Sequence, residues 1–309
     1  MLETVPWFIG GGAEHSPAVA RMLAYSATGG GNGVSQWSDL EVKALDIPGT
    51  AVRVMPGGAV LRNAYPGGGQ QSYIIRNMSQ TDVPITATTS GSGATKYVIV
   101  RVDDPEFGGQ MPANVVDGPY VRFVVVTSIS NLNYPHAVLA KIVQPAATGT
   151  ITASMISSMR TVANPRSKRE VLVGAGTAGN LATAANAWKV WPGFNPTVAV
   201  PSWATRVEGF ARIHQPSIAG GGTFGTIKIT LGTLSGDGVF DFNQSGTWAD
   251  GMRVGTLSLA IAATIPEEMR GTTQPLQFLG TRVNGEGGYL SADAATGVEY
   301  DLNFEERPL

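Results

Sequence analysis

From Arg206 to Ile213 the chain alternates strictly, with Val207, Gly209, Ala211 and Ile213 set against Arg206, Glu208, Phe210 and Arg212. A period of two places alternate side chains on opposite faces of a pleated strand, one face toward a core and the other toward water. The pattern recurs at Ile227, Ile229 and Leu231, at Leu257, Leu259 and Ile261, and at Val298, Tyr300, Leu302 and Phe304, which oppose Glu299, Asp301, Asn303 and Glu305. About eight strands of this kind predict a two-sheet, jelly-roll-like sandwich for the C-terminal half.

The N-terminal half reads as short apolar runs between turn clusters. The runs are Ala51 to Met55, Gly58 to Leu61, Ser72 to Arg76, Lys96 to Val102, Val121 to Thr127 and Ala137 to Val143. Pro56-Gly57-Gly58, Pro66-Gly67-Gly68-Gly69 and Gly91-Ser92-Gly93 punctuate them, and such spacing favours a sandwich over βαβ units. Two short helices are expected. One runs from Ser16 to Thr28, with Ser16 as cap, Pro17 in the first turn and Gly29 to Gly31 as the stop, and is expected to dock on another surface, a neighbouring subunit being the candidate. The other spans Ala153 to Arg160, with Thr152 as its cap. The Pro-broken polar stretch from Ala163 to Glu170 marks a boundary. The chain is thus read as mainly β with two tandem sandwiches. An arm and docking helix occupy 1–37, the first sandwich 38–162, a linker 163–171 and the second sandwich 172–309.

Composition narrows the chemistry. Of 309 residues only 14% are charged, against roughly 25% in ordinary soluble domains, and the formal net charge is -2. No basic field is available for a polyphosphate, so nucleic acid is not an expected partner. With no Cys, thiolate nucleophiles, disulfides and Cys-based zinc sites are excluded. No apolar run reaches the roughly 18 residues of a spanning helix, so membrane insertion is not expected, and the start lacks signal-peptide layout, which implies synthesis in the cytoplasm.

Several motifs resemble catalytic ones without their context. Gly174, Gly176 and Gly179 form a GxGxxG after Val171-Leu172-Val173. The acid expected about 20 residues on is missing, and Pro192, Pro196 and Pro201 leave little room for the crossover helix. His15, His136 and His214 have no second ligand nearby in sequence. Ser90-Gly91-Ser92-Gly93 is a loop rather than a nucleophile elbow. Asp103-Asp104 and Glu267-Glu268 read as solvated turn acids, and Asp237, Asp241 and Asn243 as turn residues rather than a calcium loop. No catalytic set, metal or cofactor is predicted. The tryptophans carry more: Trp188, Trp191, Trp203 and Trp248, four of the six, lie in the C-terminal half. They are the candidate sugar-stacking residues, although for each ring taken singly filling the sandwich core is the favoured reading.

One set of ordered motifs carries a family resemblance. It runs through His15-Ser16 and Thr28-Gly29-Gly30, Asp39 to Val42, Val52 to Ala59, Gln71 to Asn77, Val98 to Glu106, Tyr134 to Ile142, and Thr148 to Thr152 leading to Arg160. In order and spacing it resembles the shoulder-type domain of minor tail and upper baseplate proteins of long-tailed phages, especially those infecting actinobacteria. Lys96-Tyr97 and Ser158-Met159 depart from that pattern. The resemblance implies a β-sandwich that builds homo-oligomers, often trimers, at a tail tip, beside other tail proteins, with a variable C-terminal module. A structural, non-enzymatic virion protein follows, its second sandwich binding a host-envelope glycan or a tail protein. A glycan-degrading tail enzyme and a lectin unrelated to phage are the alternatives.

Overall fold

The computed structural model describes residues 16–181, 187–191, 193–241, 251–282 and 288–309. The chain divides into two compact units, Met1–Pro165 with Arg307–Leu309, and Arg166–Glu306. Both are built of antiparallel β-sheets, and neither closes into a barrel. Ser167 to Val171, within the stretch read as a linker, already lie on a strand of the second unit.

In the first unit, helix α1 (Pro17–Ala27) precedes β1 (Gly33–Val34), β2 (Val42–Ala44), β3 (Ala51–Val54), β4 (Gly57–Arg62), β5 (Ser72–Asn77), β6 (Thr81–Pro84), β7 (Ala94–Val102), β8 (Val121–Val126), β9 (His136–Gln144) and β10 (Ile156–Ser158). A long bent hairpin pairs β3 with β6 and β4 with β5, and β2 and β1 extend it on the side of β3 and β4. The bend falls at Met55-Pro56, where proline removes a ladder donor and Gly57 takes φ of 153° beside Asp39. The opposing sheet runs β10-β9-β7-β8. Val52, Val54, Leu61 and Val83 from one side and Val98, Val100, Leu139 and Ile142 from the other fill the core between them.

The expected second helix does not form. Only a 3-10 turn, Ala153–Met155, stands there, and Ile156–Ser158 pairs with β9 instead. Thr152 makes no capping bond, Ile156 and Met155 pack against the core, and β-branched Ile with two serines propagates a helix poorly.

The second unit follows as β11 (Ser167–Ala175), β12 (Gly179–Leu181), β13 (Lys189–Val190), β14 (Thr197–Ala199), β15 (Arg206–His214), β16 (Ser217–Ala219), β17 (Phe224–Leu231), β18 (Leu234–Asp241), β19 (Leu257–Thr264), β20 (Thr273–Arg282), β21 (Tyr289–Ala292) and β22 (Gly297–Glu305). One sheet runs β11-β22-β15-β19; the other places β13 and β14 on β20, then β17 and β18. A small third sheet, β12-β21-β16, continues three strands of the first. Counting each interrupted strand once, neighbours run first-eighth-third-sixth and second-seventh-fourth-fifth. That is the order of an eight-stranded jelly roll made from two Greek keys. Its core holds Trp191, Ile213, Ile229, Phe278, Tyr300 and Phe304.

Candidate functional site: an apolar groove and a mixed sheet face

In the first unit, α1 packs beside β5 with Val19, Arg21 and Ala24 buried. Ser16 is extended and Pro17 suits the first turn, so the helix starts there; Thr28 Oγ1 donates to the Ala24 carbonyl at 3.0 Å at its end. Buried Arg21 then reaches the sheet. Its Nε donates to Gln71 Oε1 at 2.5 Å, Nη1 to Asp104 Oδ2 at 3.3 Å and Nη2 to Glu106 Oε2 at 2.7 Å, with the Phe107 ring centroid 5.2 Å away. The helix therefore docks on its own unit. Asp104 also accepts from Tyr73 Oη at 2.7 Å and, as cap of the turn Pro105–Phe107, from the Glu106 N–H at 2.9 Å. Burial and the Asp104 carboxylate push the Tyr73 phenol far above its ordinary range. Neighbouring Asp103 is buried and paired with Arg101, and with Arg122 at 2.9 Å. The adjacent acids predicted at 103 and 104 are thus two separately paired carboxylates.

Above this clamp lies a groove of about 640 Å³ with Pro17 at its edge. Ile74, Ile75, Met111, Val115, Tyr120 and Val121 line it. Ile74 is 73% exposed, and Val116, beside Val115 on the same loop, is 90% exposed. The loop is shaped rather than loose. Asn114 Oδ1 accepts the Val116 N–H at 3.0 Å, Asn114 Nδ2 donates to Asp117 Oδ2 at 2.7 Å, and Tyr120 Oη donates to the Val115 carbonyl at 2.5 Å. Hydrogen bonding therefore holds apolar side chains toward water, the usual mark of a contact surface.

The second surface is the outer face of the sheet β11-β22-β15-β19. Its cross-strand rows read Val171–Asp301–Phe210–Ala260, Val173–Glu299–Arg212–Ser258 and Arg169–Asn303–Glu208–Ala262. Arg169 grips Asp301 with two bonds of 2.7 and 2.8 Å, Arg212 meets Glu299 at 3.1 Å, and Arg206 meets Glu208 at 2.6 Å. The Arg169 guanidinium holds the Asp301 carboxyl below the usual carboxylate range. Between these pairs Phe210 stands 47% exposed, with Val171, Val173, Ala260 and Ala262 also open. Charges that neutralise one another around exposed apolar groups make a face suited to burial against a partner.

The tryptophans separate. Trp191 is 1% exposed, packs edge-on to Phe278 with centroids 6.3 Å apart, and belongs to the core, so its predicted sugar-stacking role is corrected: a ring enclosed on both faces offers nothing to a sugar. Trp203 is half-buried against that core, with the Arg166 guanidinium 5.4 Å from its ring. Trp188 is 42% exposed, and the Lys228 ammonium sits 4.1 Å from its ring centroid. Trp248 lies outside the described residues, as do His15 and Asn243.

The other motifs find structural uses. A side chain at Gly174 would strike the Phe194 ring, and one at Gly176 the carbonyls of Asp293 and Thr296. These glycines admit neighbouring groups rather than a pyrophosphate, and β12 follows them where a nucleotide site needs a helix. Asp237 is on β18 opposite Lys228, not in a turn, while Gly236 lets β18 approach the backbone of β19 and Gly238 makes room for the Leu259 side chain. Among the described residues no group of three His, Asp or Glu side chains is placed to hold a metal ion, and no helix is long and apolar enough to cross a membrane.

Sequence reasoning missed both surfaces. The alternation from Arg206 to Ile213 did carry a signal, a Phe at position 210 among the outward residues.

No family model matches the chain, and no curated protein matches it. Among solved structures it is similar to the Gx strain of infectious bursal disease virus (12% identity, 91% of this chain and 73% of that one, TM-score 0.26) and to the VP2 subviral particle of infectious bursal disease virus (11%, 91% and 73%, 0.25). The Cry4Aa toxin of Bacillus thuringiensis also aligns (12%, 87% and 51%, 0.23). Superposition at this level assigns neither fold nor role, and the architecture rests on the strand pairings of the chain itself.

Proposed function

We propose that this chain is a non-catalytic structural subunit of a virion, at a phage tail tip, which assembles as a homo-oligomer, a trimer, through the outer face of its second sandwich. The observation that carries this reading is that face: Phe210, Val171 and Val173 exposed among mutually paired charges on a four-stranded sheet. Closed symmetry would cover the same patch on every copy. The tail-tip setting is supported by the ordered motifs of the first unit, which fall on α1, on β3 and β4 with their bend, and on β5, β7 and β9.

The remaining surface would face other tail proteins or a host-envelope glycan. For a glycan, Trp188 is the better-placed tryptophan, because its ring is half open while Trp191 is enclosed. Electron microscopy of the purified full chain tests the assembly. Discrete three-fold particles are expected, and a field of single 32.2 kDa particles at micromolar concentration would refute it.

A further inference from the structure

We propose that a pocket of the first unit, where β4 ends and β9 begins, binds a hydroxylated anion: a sugar or polyol bearing a carboxylate or phosphate. The pocket holds about 400 Å³ and is lined by Asn32, Arg62, Asn63, Ala64 and His136, a size at the lower end of small-molecule sites. Its walls are tied together. Asn32 Nδ2 donates to the His136 carbonyl at 3.0 Å, and Asn32 Oδ1 accepts the Arg62 N–H at 2.9 Å. One side chain thus holds the end of β4 against the start of β9, and the pocket is formed before any ligand arrives.

Most arginines of this chain meet a carboxylate or a carbonyl, as Arg53, Arg122, Arg160 and Arg169 do. Among the described residues the Arg62 and Arg76 guanidiniums meet neither. Arg76 shares its groove with Asp82, and the groove beside α1 contains Asp103, Asp104 and Glu106. Buried Lys96, in a fourth cavity, donates to the Thr86 carbonyl and to Gln144. Of these four cavities, only the Arg62 pocket combines a free cation with a lining that contains no acid.

The remaining walls specify the ligand further. His136 Nδ1 lies 2.8 Å from the Tyr134 carbonyl, which can only accept, so Nδ1 carries the proton and Nε2 of the neutral ring is left as an acceptor. Asn63 is 6% exposed; its Oδ1 accepts the Tyr65 N–H at 3.0 Å, while its Nδ2 has no partner. An anion supplies the charge that Arg62 lacks, and a hydroxyl supplies the donor that His136 can accept. A neutral sugar leaves the guanidinium without its counter-charge. A bare anion offers His136 nothing.

Calorimetric titration of the full chain with glucuronate, glucose 6-phosphate, glucose and sulfate tests the assignment. One or both anionic sugars should bind, and the one that does identifies the group as carboxylate or phosphate. Glucose and sulfate should bind several-fold more weakly. Arg62→Gln, which keeps the backbone N–H that Asn32 holds, should lower affinity for the anionic sugar by about tenfold or more, the loss of a charge-assisted bond. His136→Phe should lower it several-fold. Arg76→Gln, which removes the same charge from another groove, should leave it unchanged. That pattern would place the binding in the first unit, apart from Trp188 and from the assembly face. Equal losses in Arg62→Gln and Arg76→Gln would reduce the effect to general charge and overturn the site. Glucose or sulfate binding as tightly as the anionic sugars, or neither anionic sugar binding at millimolar concentration, would also overturn it.

Discussion

The two sandwiches reach stability by different means. The second is regular: strands of eight to ten residues alternate cleanly, with apolar side chains inside and ion pairs outside on the sheet. The first sets strands of two to six residues beside the nine-residue β7 and β9 and encloses charged groups, with Arg21, Lys96, Asp103 and Arg160 all buried. Among the described residues of the second, Glu306 is the buried charged side chain, gripped by Arg166 at 2.7 and 2.9 Å. In the first unit Arg21, Lys96 and Arg160 each join elements apart in sequence, while Asp103 pairs with Arg101 and Arg122. Lys96 donates to the Thr86 carbonyl and to Gln144 Oε1, and Arg160 to the carbonyls of Trp37, Asp39 and Leu309. Burial draws the Arg160 guanidinium below its usual pKa, with Glu41 and Asp39 opposing the shift. Buried polar bonds fix geometry between elements, and their loss leaves a partner stranded.

This contrast can be broken at graded points. The largest effect is expected from Trp191→Ala, a core truncation costing about 3–5 kcal/mol, confined to the second unit when hydrogen exchange is read on peptides of each unit separately. Loss spread equally over both units would break the distinction. Asp103→Ala should cost the first unit about 2–3 kcal/mol, measured by denaturant unfolding, because Arg101 and Arg122 lose a buried partner while part of their charge stays hydrated. A change as small as that from a surface pair would show that the enclosed charges are incidental.

The smallest effect belongs to the outer ion pairs. Asp301 is held below its ordinary pKa by Arg169, so its stabilising effect is present above the unfolded value near ~3.9 and is lost as pH falls through the folded one. Melting curves should show a slight acid loss below about pH 4 that Asp301→Asn reduces and salt diminishes. An acid loss of the same size in Asp301→Asn would exclude that pair as its source.

The difference between the units also explains what could be read beforehand. Strict alternation at 206–213 and 298–304 made the jelly-roll strands legible, because a long half-buried strand writes its two faces into the sequence. The helix expected from Ala153 to Arg160 failed since Ile156 follows the core and pairs with β9, a tertiary preference that local propensity does not encode. Trp191 and Trp188 lie three residues apart with the same aromatic chemistry, yet one is enclosed and the other open. Which ring faces the core depends on the pairing of β13 with β20, a contact across some ninety residues of chain. The groove was hidden for the same reason. It combines Pro17, Ile74 and Val115, which only the fold brings side by side.

The central claim is that the outer face of the second sandwich joins copies of this chain. Light scattering of the eluting full-length protein, compared with Phe210→Glu over a range of concentrations, tests it most directly. The account predicts a native mass close to three times 32.2 kDa, falling to a single chain in the variant with no change in melting temperature. A native protein that stays monomeric, or a Phe210→Glu variant that keeps the native oligomer, would contradict it.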